Sequence, residues 1–178
     1  MLDGAARIAP MVQEAARLEM PAIAVTDHGN TFAAFEFYKT AKDAGVKPII
    51  GIEAYVTPGT HRADKARVRW GTPEQSDDDV SGSGAYTHMT LLSETTEGMH
   101  NLFRLSSTSS LEGYYYKPRM DREILQKYSK GLIATTGCPS GEIQTRLRLG
   151  QYDAARAAAA EFQDIFGKEN YFAEIMDH

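Results

Sequence analysis

The chain has 178 residues, 42% of them hydrophobic and 24% charged, a length that holds one domain with a sizeable core and leaves little room for two. No run approaches the ~18 apolar residues of a bilayer span, the start lacks the blocks of a signal peptide, and the single cysteine excludes an intramolecular disulfide, so a cytoplasmic setting is expected. The net charge of −5 is wrong for a free-standing nucleic-acid binder, so either the substrate is small or other protein supplies the grip on phosphates.

Residues 8–19 predict a short amphipathic helix, with Pro10 in the first turn and Ile8, Met11, Val12, Ala15 and Leu18 on one side. Residues 22–26 (AIAVT) predict a buried strand, bounded by Pro21 and by the turn Asp27, His28, Gly29, Asn30. A helix follows over 31–44, closed by Gly45. A second strand over 48–57 carries Glu53 in its middle, an odd place for a carboxylate that asks for a partner. Residues 58–85 turn to Gly, Ser, Thr, Asp and Arg and read as a polar excursion, the expected mobile segment.

A strand resumes over 86–93 with His88 near its start, and a helix over 97–108 follows. Residues 113–119 (GYYYKPR) read as an aromatic, basic turn, and Asp121 can cap a helix reaching 128. A strand over 131–136 leads straight into Gly137, Cys138, Pro139. Helices over 141–149 and 153–166 and a last strand over 171–176 complete the chain.

Strands alternating with helices imply an α/β fold with a parallel sheet or β/α barrel, whose chemistry sits at the carboxyl ends of the strands. His28 and Cys138 each follow an apolar strand and would share one mouth. Glu53 and His88 lie inside strands and need a curved sheet or shifted strand ends to join them. Asp3, His28, Glu53, His88 and Cys138 together are oxygen, nitrogen and sulfur donors, one per element, as a multi-metal hydrolytic centre requires. Each also has a bland reading. His28 can be a hydrogen-bonded loop residue, Asp27 a helix cap, Cys138 core filler, Glu53 a partner for Lys or Arg, and Asp3 a turn residue. His61 and His100 receive no role.

Five blocks in order, TDHGN (26–30), PIIGIEAYV (48–56), YTHMTLL (86–92), EGYYYKPRMD (112–121) and ATTGCPSGEI (134–143), resemble the PHP (polymerase and histidinol phosphatase) domain family. TDHGN is shared with stand-alone PHP phosphoesterases. The last two blocks look specific to the domain at the front of bacterial DNA polymerase III alpha subunits. The resemblance implies a distorted β/α barrel whose mouth binds divalent metals, zinc or else manganese, and a module acting in some bacteria as a 3′–5′ proofreading exonuclease. By motif, Asp3, His28, Glu53, His88 and Cys138 are the implied metal ligands, with Asp27 holding and orienting His28. Implied partners are DNA through the intact polymerase, the rest of the alpha subunit, and replication machinery such as the sliding clamp, with no membrane.

The family's His-x-His pair would precede Met1 and its late Asp-x-His would follow His178, so the resemblance implies a partial domain over 1–178, with the first strand and last elements missing, an incomplete centre and marginal stability in isolation. Arg62, Lys65, Arg67, Arg69 and Trp70 of the excursion stand as strand contacts by phosphate pairing and stacking, against the plainer reading of a solvated loop. Two other functions compete: a structural scaffold for the polymerase, and a stand-alone phosphoesterase, which the blocks after Glu112 disfavour.

Overall fold

The computed structural model describes residues 4–176, which run α1 (Ile8–Arg17), β1 (Ala22–His28), α2 (Ala34–Asp43), β2 (Lys47–Val56), a 3-10 turn (Pro73–Gln75), α3 (Ser81–Gly84) and β3 (Thr87–Ser93). Then come α4 (Thr96–Glu112), β4 (Tyr114–Tyr115), β5 (Lys117–Met120), α5 (Arg122–Tyr128), β6 (Leu132–Thr135), α6 (Glu142–Arg148), α7 (Tyr152–Phe166) and β7 (Tyr171–Phe172). Two helix starts are written in the sequence. The Thr95 hydroxyl accepts from the Gly98 N–H at 3.0 Å, and the Asp121 carboxylate accepts from the Ile124 N–H at 3.1 Å.

The fold is α/β, and its sheet is mixed rather than wholly parallel. β1 and β5 run parallel to β2, while β3 runs antiparallel to both β2 and β6. The reason lies in the excursion. Residues 57–86 leave and return at the same edge, because Val56 at the end of β2 pairs with Thr87 at the start of β3. A connection that closes on its own starting point acts as a very wide hairpin, so the returning strand must point backwards.

Strand alternation sorts the side chains. Ile50, Ile52, Ala54 and Val56 of β2, Met89 and Leu91 of β3 and Leu132 and Ala134 of β6 form one apolar layer. Against it lie Val12 of α1, Phe37 and Ala41 of α2, Leu102 and Leu105 of α4, Ile124 and Leu125 of α5, and Phe162 and Phe166 of α7. The residues between them, His28, Glu53, Tyr55 and His88 among them, face the other way.

The expected mobile excursion is fastened down instead. Arg119 of β5 is 0% exposed and donates to the carbonyls of Arg62, Asp64, Ala85 and Gly113, tying both ends of the excursion to the 113–120 segment. That segment is a tight hairpin rather than an open turn, with Tyr115 paired to Lys117 across Tyr116. The last strand is shorter than expected, because only Tyr171 and Phe172 pair with β6. No helix among the described residues is long and apolar enough to cross a membrane.

A buried guanidinium serving four carbonyls leaves those acceptors orphaned when removed. Arg119→Ala is therefore expected to cost about 3 kcal/mol or more in denaturant melts, at about 1–3 kcal/mol per unsatisfied group. A loss under about 1 kcal/mol would show that the excursion is held by other contacts.

Candidate metal centre

The side of β2 away from the core carries the functional side chains, and register decides which of them meet. His28 pairs with Glu53 in the parallel β1–β2 ladder, so both side chains project on the same face. Glu53 pairs with Thr90 across the antiparallel ladder, which makes His88, two residues earlier, its same-face diagonal neighbour. His88 stands at the start of β3 yet at the same rim as the ends of β1 and β2, because β3 runs backwards. A parallel sheet needed bending to achieve this.

Cys138 arrives on the loop after β6, and that loop clasps the backbone of His88. The His88 N–H donates to the Ser140 carbonyl at 3.0 Å, and Gly137, at φ 78°, sits so close that a Cβ there would lie 3.0 Å from the His88 carbonyl oxygen. The result is a row of donors. His28 Nδ1 lies 3.2 Å from Glu53 Oε1, which lies 3.0 Å from His88 Nδ1, which lies 3.4 Å from Cys138 Sγ. His28 is half exposed at the rim, and Glu53 and His88 are each about one-fifth exposed.

Electrostatics within the row favour charge. Burial alone would raise the Glu53 carboxyl, but His88 and then His28 outweigh it and hold it below the usual carboxylate range. Burial works against the His88 imidazolium, yet Cys138 and Glu53 together push its pKa up to about 9. Burial also opposes the Cys138 thiolate, and contact with His88, helped by the Ser140 backbone, brings that thiol down. Glu53 Oε1 remains a buried oxygen without a well-directed hydrogen bond, despite two ring nitrogens within 3.2 Å. Two imidazoles, a carboxylate and a thiol in successive contact are donor types that suit a borderline-soft divalent ion.

The remaining candidates fall elsewhere. Asp3 lies outside the described residues. Asp27 accepts from the Ala33 N–H at 2.7 Å and so secures the start of α2. Gly29, at φ 65°, permits the turn after His28, where a Cβ would come within 2.8 Å of both Tyr55 and Pro118. In the excursion, the Arg62 guanidinium is engaged by Glu112, Asp121 and Glu123, and Trp70 lies beneath the Arg146 guanidinium at 3.7 Å. Arg69 approaches Asp79 at 3.9 Å, Arg67 bonds the hydroxyls of Tyr115 and Tyr116, and Lys65 is exposed.

Sequence reasoning missed two features. His61, Asp121 and Glu123 bring one nitrogen and two carboxylate oxygens within 4.8 Å of one another, a group able to hold a cation. Arg62 already supplies that charge, its Nη1 lying 3.1 Å from Asp121 and 3.2 Å from Glu123. The second is an aromatic wall behind the donor row. Tyr86 stacks on His88 at 5.7 Å and Tyr55 meets it edge-on at 5.3 Å. The signal for Tyr55 was present as period-2 spacing from Glu53.

Comparison with known proteins agrees with this architecture. The PHP domain family matches residues 1–178. The chain is 59% identical to a DNA polymerase III subunit alpha of Saccharopolyspora erythraea over 185 residues and 58% identical to that of Mycobacterium tuberculosis over 179 residues, covering 100% of this chain and 15% of each relative. With the DNA polymerase III subunit alpha of Thermus aquaticus it shares 43% over 180 residues, covering 100% of this chain and 14% of the relative. The chain thus spans about 15% of the length of the curated relatives it matches. With its whole length matched and its motif residues gathered at one rim, the chain belongs to the PHP domain family.

Proposed function

We propose that this chain is the PHP part of a DNA polymerase III alpha subunit and that its donor row is the metal centre of a 3′–5′ exonuclease, working in the cytoplasm beside the polymerase and the sliding clamp. The observation that carries the reading is the meeting of His28, Glu53, His88 and Cys138, from four separate elements, in successive contacts of 3.0–3.4 Å. Asp3 would add a carboxylate from the chain start, and Asp27 would position His28 by fixing the turn it sits on. Zinc suits the thiolate, with manganese the second choice. Such ions, when bound, lower the pKa of a bound water toward ~7 and neutralise charge on a phosphate.

The chain's own residues then have separable tasks. His28, at the rim, and Cys138, at the far end of the row, fix the span of the donors. Glu53 supplies the central negative charge, and Tyr55 and Tyr86 close one side of the row to water. Hydrolysis joins a water oxygen to the terminal phosphorus and breaks the bond to the 3′ oxygen. The proton passes to that oxygen, releasing a nucleoside 5′-monophosphate. In this reading DNA is held mainly by the rest of the polymerase, with Lys65, Arg67 and Arg69 as the excursion's exposed contributors and Arg62 and Trp70 as its internal fastening.

A scaffold role is the second reading, favoured by one observation. Phe32 and Phe35 are each 82% exposed and Tyr38 51% exposed, beside a cavity of about 540 Å³ between α2 and α4, away from the donor row. Apolar surface of that kind suits packing on other protein.

In the full-length protein, His28→Ala and Cys138→Ala should each weaken metal binding at least about 10-fold, read as zinc retained against a chelator, and should abolish 3′-end digestion of single-stranded DNA. Unchanged metal and digestion in both variants would refute the ligand assignment. Metal retained by the wild type with no digestion would leave the scaffold role.

The row also predicts a pH dependence for the metal-free chain. His88 is raised above its ordinary 6.5 to about 9, so its contribution to stability is complete below about 6.5 and lost as pH rises through about 9. In a chelator-treated sample the His88 ring signal should titrate near the upper value, and Glu53→Gln should move it down. A ring titrating near 6.5 in the unmutated chain would mean that the row does not form in solution.

A further inference from the structure

The donor row explains where a terminal phosphate would sit but not what holds the strand behind it. Lys117 is placed for that task from two directions. Its ammonium lies 5.4 Å above the Tyr55 ring, and that ring stands 5.3 Å from the His88 imidazole. Its chain neighbour Pro118 closes on Gly29, the residue after His28, so tightly that no Cβ fits between them. Lys117, half-buried, is therefore held one ring away from His88 and one residue from the contact that closes the His28 turn. Among the described residues no carboxylate pairs with it.

The hairpin tip continues the surface outward. Tyr116 is 62% exposed and adopts φ 61°, a left-handed conformation that a bulky side chain enters only at a cost. Such strain collects where a side chain has to be presented. Arg67 lies over the Tyr116 ring at 5.3 Å and donates to its hydroxyl at 3.0 Å, so the excursion delivers a second cation to the same tip. Arg67 also has no carboxylate partner among the described residues. A cation beside the donor row, an exposed aromatic ring and a second cation, in that order, match the alternation of phosphate and base along a single strand.

We propose that Lys117 holds the phosphodiester next to the scissile one, and that Tyr116 with Arg67 forms an outer subsite for the following nucleotide of a single strand. This rests on the nuclease reading of the donor row. A substrate with a single phosphate would reach the row without touching Lys117, so the site selects polynucleotide over small phosphate esters. The selectivity comes from length rather than base identity.

The test uses the full-length protein with zinc or manganese, a single-stranded oligonucleotide, a dinucleotide and a small chromogenic phosphodiester. Lys117→Ala should raise KM for the oligonucleotide about 10-fold and lower the slope of log KM against log salt by about 0.7, the value for one phosphate contact on a single strand. Turnover of the small diester and metal content should stay within about 2-fold, and Lys117→Arg should restore most of the loss. Arg67→Ala should raise KM for the oligonucleotide and leave the dinucleotide unchanged. Equal losses on oligonucleotide and small diester would make Lys117 a structural residue and overturn the proposal, as would an unchanged KM and salt slope. A wild type that binds metal yet cleaves none of the three substrates would sink the nuclease reading itself and this proposal with it.

Discussion

β2 is committed on both edges and both faces, and the site exists because of that double commitment. Its first seven residues pair with β1, its last two with β5, and most of its other edge with β3. One face supplies Ile50, Ile52, Ala54 and Val56 to the core, which leaves Glu53 and Tyr55 on the opposite side. A slip of one residue in either ladder would turn His28 or His88 toward the helices and bury apolar positions wrongly at the same time. The hydrophobic side thus fixes the register, and the register fixes the polar side. Stability of the core and assembly of the donor row are one constraint seen from two faces.

The donor row and the group of His61, Asp121 and Glu123 differ in who provides the charge. At His61, Asp121 and Glu123 the chain provides it, since the Arg62 guanidinium reaches both carboxylates and, despite burial, its pKa is raised by Glu112 and then by Asp121 and Glu123. Asp121 is further occupied as the cap of α5. Among the described residues no guanidinium or ammonium pairs with Glu53. A proton on His88 does the neutralising instead, which is why that ring holds its proton up to about 9 and why the thiol beside it falls. A group neutralised by a removable proton can exchange it for a metal ion, whereas one neutralised by a tethered arginine resists the exchange.

Much of this was legible in the sequence. The apolar periodicities placed α1, α2, β1, β2, β3 and α7 within a few residues, and Asp121 announced its helix through cap chemistry. His28, Glu53, His88 and Cys138 were named as candidates, and in the fold they stand in successive contact. What periodicity could not supply was strand direction. Alternating elements suggest parallel strands, and nothing in residues 58–85 announces that the excursion returns to the edge it left. The same gap hid the fastening of that excursion, since Arg119 stood in the sequence only as part of an aromatic, basic turn. A single arginine finding four carbonyls is a long-range event with no local signal.

The run from Tyr116 to Asp121 shows how densely a short segment can be specified. Tyr116 takes the strained turn, Lys117 lies on the Tyr55 ring, and Pro118 closes on Gly29. Arg119 gathers the excursion, Met120 enters the core at 0% exposure, and Asp121 caps α5 while receiving the Arg62 N–H at 2.8 Å. Six consecutive residues have six different sets of partners, drawn from the donor rim, the excursion, the core and a helix end. A substitution at any of them disturbs a different part of the molecule, so the segment behaves as a joint between the excursion and the donor row. Because β5 pairs with the last residues of β2 beyond Glu53, that joint is anchored to the strand that carries the central carboxylate, and the hairpin tip inherits its placement from the same register.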